Sequence, residues 1–109
     1  MSTETAEVIE HPKRAEIELG AVLHALSDPV RLKIVATLAA NEGECPSGGF
    51  DVPVTKSTCT HHFKVLREAG VIHQRQHRTC RLNTLRRDDL EARFPGLLDT
   101  VLSAASAHR

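Results

Sequence analysis

The stretch Ser57-Thr-Cys-Thr-His-His-Phe-Lys-Val-Leu-Arg-Glu-Ala-Gly70 has the pattern of one amphipathic helix with a defined beginning and end. Ser57 is a good N-cap residue, because its hydroxyl can accept a hydrogen bond from a free backbone N–H of the first turn. Gly70 suits the left-handed position that ends a helix, where a Cβ would be unfavourable. Apolar side chains recur between them at helical spacing and form an inward stripe, at Cys59, Phe63 and Leu66.

Another face of this predicted helix carries hydrogen-bonding and positively charged side chains and no large apolar residue. Its members are Thr60, His61, Lys64 and Arg67. A short helix with such a face suits the major groove of DNA. An ordinary solvent-exposed helix face has the same composition, so the surrounding sequence has to decide between the two.

The charge distribution favours the nucleic-acid interpretation. The chain of 109 residues has a formal net charge of zero, with 14 basic and 14 acidic side chains. Residues 55–87 hold eight Lys or Arg residues against one acid, Glu68, together with four of the seven histidines. Such a basic segment attracts phosphate and predicts salt-dependent binding to double-stranded DNA. Its charge and position add further predicted DNA contacts at Lys56, Ser57, Arg75, His77 and Arg78.

Length and composition predict one small domain. Apolar residues make up 40% of the chain but aromatic residues only 3%, so the core is modest and oligomerisation should add to its stability. No apolar run approaches the roughly 20 residues that span a bilayer, and the N-terminus lacks a signal-peptide pattern. Three cysteines at irregular spacing do not make a disulfide framework. We therefore expect a cytoplasmic protein with reduced thiols and no membrane partner.

The N-terminal half predicts an arm and two helices. Residues 1–12 are polar and acidic, so we expect a flexible arm, followed by one domain over residues 13–109. A first helix of about 12 residues should begin near Ala15 and end before Asp28, the predicted N-cap of the second helix, with Pro29 as its first residue. The second helix should bury Leu32, Val35, Leu38 and Ala39. Residues 41–55 are rich in Gly and Pro and predict a loop with room for a short helical turn.

The C-terminal half predicts a hairpin and an apolar helix. Residues 71–85 contain two extended runs around a polar turn, without the Asn-Gly or Asp-Gly signal of a tight hairpin, so a long or mobile tip is expected. Cys80 should be a half-buried strand residue. A helical start at Asp88 precedes Pro95, and the helix after it has more apolar surface than this small domain can cover. We expect dimerisation through the first and last helices, at Leu19, Val22, Leu97, Leu98, Val101 and Leu102.

The order helix, helix, connector, helix, basic hairpin, helix is that of a winged helix-turn-helix, an α+β and mostly helical fold. The chain also resembles the ArsR/SmtB-type bacterial repressors over roughly residues 15–105. The resemblance lies in Leu26-Ser-Asp-Pro-Val-Arg-Leu-Lys-Ile-Val35, in residues 57–72 and in the hairpin that ends with residues 81–83. It implies a homodimer that represses transcription at an inverted repeat and is released by an inducer. It also implies base or phosphate contacts at Thr58, Thr60, His61 and Lys64.

The chain departs from that family at its metal sites. Many metal-sensing members carry a Cys-x-Cys pair before the recognition helix, whereas residues 44–53 here hold a single cysteine, Cys45, among Gly and Pro. For a second family site, built from acids and histidines of the C-terminal helices, the chain offers only Asp99 and His108. We therefore expect no cofactor and no metal at either family site.

The cysteines suggest a signal. Cys59 falls in the first turn of the predicted recognition helix, where the helix dipole and Lys56 would stabilise a thiolate. Cys45 lies 14 residues earlier, and a disulfide between the two would distort the recognition helix. The residues leave two alternatives open: Cys59 simply packs inward, or both thiols bind a soft metal such as zinc or copper(I) with a histidine.

The favoured hypothesis is a dimeric repressor released from its operator by thiol oxidation or an electrophile, and the alternative is a metal-responsive repressor of the same fold. A winged-helix module that binds proteins is a third hypothesis, but it would not require the concentration of basic residues around the central helix. An enzyme is not expected, because the chain has neither a Gly-rich phosphate loop nor a motif that pairs a nucleophile with a base.

Overall fold

A computed structural model describes residues 9–41 and 43–107, which fold into five α-helices and a three-stranded antiparallel sheet. The helices are α1 (Leu19–Leu26), α2 (Pro29–Ala40), α3 (Lys56–Glu68), α4 (Arg87–Arg93) and α5 (Leu97–Ala107), and the strands are β1 (Cys45–Pro46), β2 (Ile72–His77) and β3 (Cys80–Leu85). The strand order is β1-β3-β2. This arrangement confirms the predicted winged helix-turn-helix architecture. In the part of the chain that is described, no helix combines the length and apolar character that crossing a membrane requires.

The core lies between α1, α2, α3 and the start of the hairpin, and α4 and α5 close it from the side. Its buried side chains are almost all aliphatic, as the low aromatic content predicts. They include Val22, Ala25, Ile34, Val35, Leu38, Phe63, Leu66, Val71, Ile72, Leu90 and Leu98.

The beginning of α2 confirms the sequence prediction. Asp28 is its N-cap, and one carboxylate oxygen accepts hydrogen bonds from the backbone N–H groups of Val30 and Arg31 at 2.9 and 3.1 Å. These bonds hold the pKa of Asp28 below its ordinary value, against the opposing effect of burial. The inward face differs from the prediction, since Ile34 is buried whereas Leu32 and Ala39 are only half-buried.

The first helix is shorter than predicted. Residues Arg14–Glu16 form a separate 3-10 turn, and Ile17 and Glu18 are extended before α1 begins. Ile17 leaves the helical path because its side chain is buried in the core and its carbonyl oxygen accepts two hydrogen bonds from Arg93, at 2.6 and 3.1 Å. These tertiary contacts override the helical spacing of the apolar residues around them.

The N-terminal boundary also differs from the prediction of an arm over residues 1–12. His11 stacks on His73 of β2, with ring centroids 4.3 Å apart, and Arg86 donates a 2.8 Å hydrogen bond to the carbonyl of Pro12. Both residues therefore contact the domain, while residues 1–8 of the expected arm lie outside the described residues.

The N-cap of the central helix lies two residues before the predicted one. Thr55, not Ser57, caps α3, because its hydroxyl accepts a 3.3 Å hydrogen bond from the N–H of Thr58. At the other end Gly70 has φ +87°, which confirms its predicted left-handed conformation. The N–H of Val71 then bonds the carbonyl of Leu66 at 3.0 Å, so the chain turns directly from α3 into β2.

The connector and the hairpin differ from their predictions. Part of the loop over residues 41–55 forms β1, whose Cys45 lies opposite Asn83 of β3, and the 3-10 turn Ser47–Gly49 follows. The hairpin closes through only two residues, Arg78 and Thr79, instead of a long tip, with Arg78 at φ +58°. Cys80 is exposed instead of half-buried; its Sγ donates to the carbonyl of His77.

Two of the residues predicted at the dimer interface belong to the core of the single chain. Val22 is 1% exposed and Leu98 is 8% exposed, because α1 and α5 turn these side chains toward α2 and α3. The exposed apolar side chains of α1 are instead Leu19 and Leu23, each 45% exposed.

Gly70→Ala should destabilise the fold. An added Cβ would lie 2.6 Å from Cγ1 of Ile17, and the residue would keep a φ that L-amino acids disfavour. We expect a loss of about 3 kcal/mol and a melting temperature lower by on the order of 10 °C, measured by thermal unfolding. Gly20→Ala is the control, since its Cβ meets nothing within 4 Å and its melting temperature should be unchanged or slightly higher. Equal melting temperatures for the two variants would contradict the close packing at Gly70.

Candidate nucleic-acid interface

One face of α3 presents polar and basic side chains to solvent. Six of the predicted contacts on this helix are exposed: Lys56, Ser57, Thr58, Thr60, His61 and Lys64. The hydroxyls of Thr55 and Thr58 are hydrogen-bonded to each other at 3.0 Å, and that of Thr60 donates to the carbonyl of Lys56 at 3.0 Å. The face therefore combines hydroxyl and imidazole groups, which can bond base edges, with two lysines that can bind phosphate.

A buried polar cluster holds this face in place, and the sequence analysis missed it. Arg31 of α2 is 8% exposed, and its Nε donates to the carbonyl of Ala25 at 2.7 Å. Its Nη1 lies 3.1 Å from Nδ1 of His62, on the buried side of α3. A guanidinium can only donate, so Nδ1 of His62 accepts and the ring proton is on Nε2, which faces Asp28 at 3.8 Å. The cluster joins the start of α2 to α3.

Arg67 does not extend from α3 toward solvent as predicted. It is half-buried, and its Nη1 donates to Oε1 of Gln74 at 2.7 Å. Its Nε is buried and is the one buried side-chain nitrogen or oxygen without a hydrogen-bond partner among the described residues. The charge of Arg67 is therefore directed into the junction between α3 and the hairpin.

The hairpin carries the second part of the basic surface. His77 and Arg78 are exposed at its tip, as predicted. Arg75 is exposed too, but its guanidinium is paired with Glu44, through a 2.7 Å bond from Nη2 and a second bond from Nε. The bond from Arg75 holds the pKa of Glu44 below its ordinary value. A phosphate would have to displace this carboxylate to contact Arg75.

The ring of His11 fastens the N-terminal segment to the hairpin. Its Nε2 accepts a 2.9 Å hydrogen bond from the backbone N–H of Gln74, while the ring stacks on His73. Burial, and then the neighbouring His73, lower the pKa of His11. A neutral ring is the form that can accept this bond, so the geometry and the direction of the shift agree.

The cysteines lie in different surroundings. Cys45 and Cys59 are both half-buried against the hydrophobic core, whereas Cys80 is exposed, and all three are free thiols. Burial raises the pKa of Cys59, which is opposite to the prediction from its place near the start of α3. Desolvation disfavours the thiolate, so the thiol is the favoured form.

The part of the chain described by the structure contains no group of three or more His, Cys, Asp or Glu side chains placed to hold a metal ion. Of the two residues considered for the C-terminal family site, Asp99 is exposed on α5 and His108 lies outside the described residues.

Comparisons with known proteins agree with this geometry. Residues 26–75 match the family model described as a helix-turn-helix domain. The chain is 37% identical over 92 residues to an uncharacterized HTH-type transcriptional regulator, YceK, of Bacillus subtilis (strain 168), which covers 82% of this chain and 92% of that protein. The crystal structure of the transcriptional repressor BigR from Xylella fastidiosa superimposes with a TM-score of 0.61 at 27% identity, over 79% of this chain and 84% of that one. Both relatives are named as regulators of transcription.

Proposed function

We propose that this chain, which belongs to the winged helix-turn-helix transcriptional regulators, is a homodimeric repressor that binds an inverted repeat in double-stranded DNA. The observation that carries the proposal is the exposed polar face of α3, held from behind by Arg31 and His62. Repression is supported by the likeness to a solved repressor.

In the proposed complex α3 lies in the major groove and the hairpin reaches the neighbouring backbone. The hydroxyls of Thr58 and Thr60 and the ring of His61 face base edges, while Lys64 and Arg78 bind phosphates. Lys56 and Lys64 of α3 and Arg78 of the hairpin are exposed, so they can approach the duplex without rearrangement of the core.

Lys64→Ala should weaken binding to every DNA duplex. A phosphate contact contributes without regard to sequence, so the affinity should fall alike for all duplexes and the slope of log affinity against log salt should decrease by about one. Fluorescence anisotropy over a salt series measures both quantities. Lys33→Ala, an exposed lysine on α2, serves as the control and should keep the wild-type slope. An unchanged affinity for Lys64→Ala would remove α3 from the interface.

The proposed dimer interface consists of the exposed face of α1 and the outer face of α5. Leu19 and Leu23 are four residues apart, so they lie on the same face of α1, and each is 45% exposed. Leu97, Val101 and Leu102 are half-buried on α5, which leaves part of their apolar surface uncovered. Covering both helices with a second copy would bury this surface and place two recognition helices for two half-sites.

Leu23→Asp should convert the dimer to a monomer. The variant places a charge in the proposed interface and leaves the core unchanged, because Leu23 is exposed in the single chain. Sedimentation velocity should show the lower mass, and affinity for an inverted repeat should fall while affinity for a single half-site is retained. Ala36→Asp, which adds the same charge to an exposed position of α2, should remain dimeric. A dimer that persists in Leu23→Asp would place the interface elsewhere.

The proposed signal is oxidation of Cys45 and Cys59. A thiolate would attack peroxide to give a sulfenic acid and water, and the second thiol would then displace a second water to form a disulfide. Both thiols pack against the same core, and Cys59 lies on α3 itself, which supports an effect on DNA binding. The raised pKa of Cys59 predicts that this reaction is slow at neutral pH and faster as the pH rises.

Peroxide should abolish DNA binding by the reduced protein, and dithiothreitol should restore it. The rate of inactivation should increase above neutral pH, where more of the Cys59 thiol is ionised, and Cys45→Ser with Cys59→Ser should abolish the response. Cys80→Ser is the matched control and should respond like the wild type. Loss of DNA binding with zinc or copper(I) alone would support the metal-responsive alternative. Loss of DNA binding by the peroxide-treated double variant would exclude Cys45 and Cys59 as the sensing thiols.

A further inference from the structure

A row of polar side chains crosses the three-stranded sheet from β1 through β3 to β2 and continues to α3. Asn83 of the central strand β3 lies opposite both Gln74 of β2 and Cys45 of β1. Gln74 is 2% exposed and Asn83 is fully buried. Strand positions with this degree of burial normally hold aliphatic residues, so two buried amides there require a reason.

The hydrogen bonds of this row run in one direction. Arg67 Nη1 donates to Gln74 Oε1 at 2.7 Å, and Gln74 Nε2 donates to Asn83 Oδ1 at 2.8 Å. Asn83 Nδ2 then donates to the carbonyl of Cys45 at 3.0 Å and to Oγ of Ser47 at 2.9 Å. The guanidinium can only donate, which determines the orientation of the Gln74 amide and, through it, that of Asn83. Neither amide can rotate by half a turn without leaving buried groups unpaired.

Burial of the Arg67 side chain leaves its Nε without a hydrogen-bond partner. A buried N–H without a partner is unfavourable, and a side chain on the surface of α3 could have avoided it in water. The arrangement provides a hydrogen bond from Arg67 of α3 to Gln74 of β2. Gln74 is next to Arg75 and three residues before His77 in the hairpin. The row therefore connects the two parts of the DNA-binding surface through its directional bonds.

We propose that Gln74 and Asn83 are positioning residues for DNA recognition, which hold the hairpin and α3 in one relative orientation so that both engage the same duplex in register. The inference rests on the proposed function, in which α3 and the hairpin bind one site together. Apolar contacts of the core are non-directional and permit small rotations of α3, whereas the bonds of Arg67, Gln74 and Asn83 permit one arrangement.

The test compares two DNA duplexes, one enriched from a random-sequence library by the wild-type protein and one shuffled duplex of the same composition. Gln74→Met and Asn83→Leu keep the side-chain size and remove the hydrogen bonds. Each should lower affinity for the enriched duplex by about tenfold, and affinity for the shuffled duplex by no more than about twofold. A merely structural role would reduce the amount of folded protein and lower both affinities by the same factor, so the ratio identifies positioning.

Gln74→Glu is a second variant that tests the proposal if Gln74→Met does not fold. Its carboxylate still accepts from Arg67 but cannot donate to Asn83, so the ratio should fall here too. Arg67→Met and Asn83→Leu should each reduce the affinity ratio, and the double variant should lose less than the sum of the two losses in free energy. Both variants break the same chain of hydrogen bonds, so the second adds little to the first. Asn41→Leu, exposed at the end of α2, is the matched control and should keep the wild-type ratio.

A wild-type ratio in folded Gln74→Met and Gln74→Glu would overturn the proposal, as would fully additive losses. A wild-type protein that enriches no sequence from the library would overturn the proposed function itself, and the positioning role with it. The two failures are distinguishable, because the first appears only in the variants.

Discussion

The architecture depends on the missing Cβ of Gly70, whose space is taken by the side chain of Ile17. Because Ile17 fills that space, the segment before α1 packs directly against the end of α3 and against the turn that leads into β2. The carbonyl of Ile17 also accepts both hydrogen bonds of Arg93, which brings α4 to the same point. Three parts of the chain that are distant in sequence, Ile17, the turn at Gly70 and Arg93 of α4, therefore meet at one point.

Local chemistry explains which parts of the fold were predictable. The start of α2 needs only Asp28 and Pro29, and the end of α3 needs only Gly70, so neighbouring residues suffice to identify them. The cap of α3 could not be chosen this way, since Thr55, Ser57 and Thr58 all offer a hydroxyl at suitable positions. Strand β1 has two residues and exists because β3 has an edge to pair with, which no periodicity reveals. The early end of helical structure at Ile17 is likewise a consequence of distant partners.

In the candidate site, too, features set by neighbouring residues were predictable and features set by distant residues were not. Helical spacing was enough to predict the polar face of α3, because alternation of inward and outward residues follows from the helix itself. The partners of Arg67 and Arg75 lie on other elements, so their side chains were predicted to be available for DNA when one is turned into the hairpin junction and the other is paired with Glu44. Cys59 shows the effect of burial: its place near the helix start predicts a stabilised thiolate, but desolvation against the core raises the pKa of its thiol. Burial of a single side chain depends on the whole fold.

The pairing of Glu44 with Arg75 has a consequence for how such a regulator would find its site. A genome contains a vast excess of nonspecific sites. Each basic side chain that is free to bind a phosphate increases the time that a DNA-binding protein spends bound at these sites. In the proposed complex, the pairing of Arg75 with Glu44 would leave one fewer free positive charge to bind the phosphates of random DNA. Only a duplex that already fits α3 would hold the hairpin near the backbone long enough for phosphate to replace the carboxylate. In the proposed function, the ion pair would therefore lower the affinity for random DNA and shorten the search for the operator.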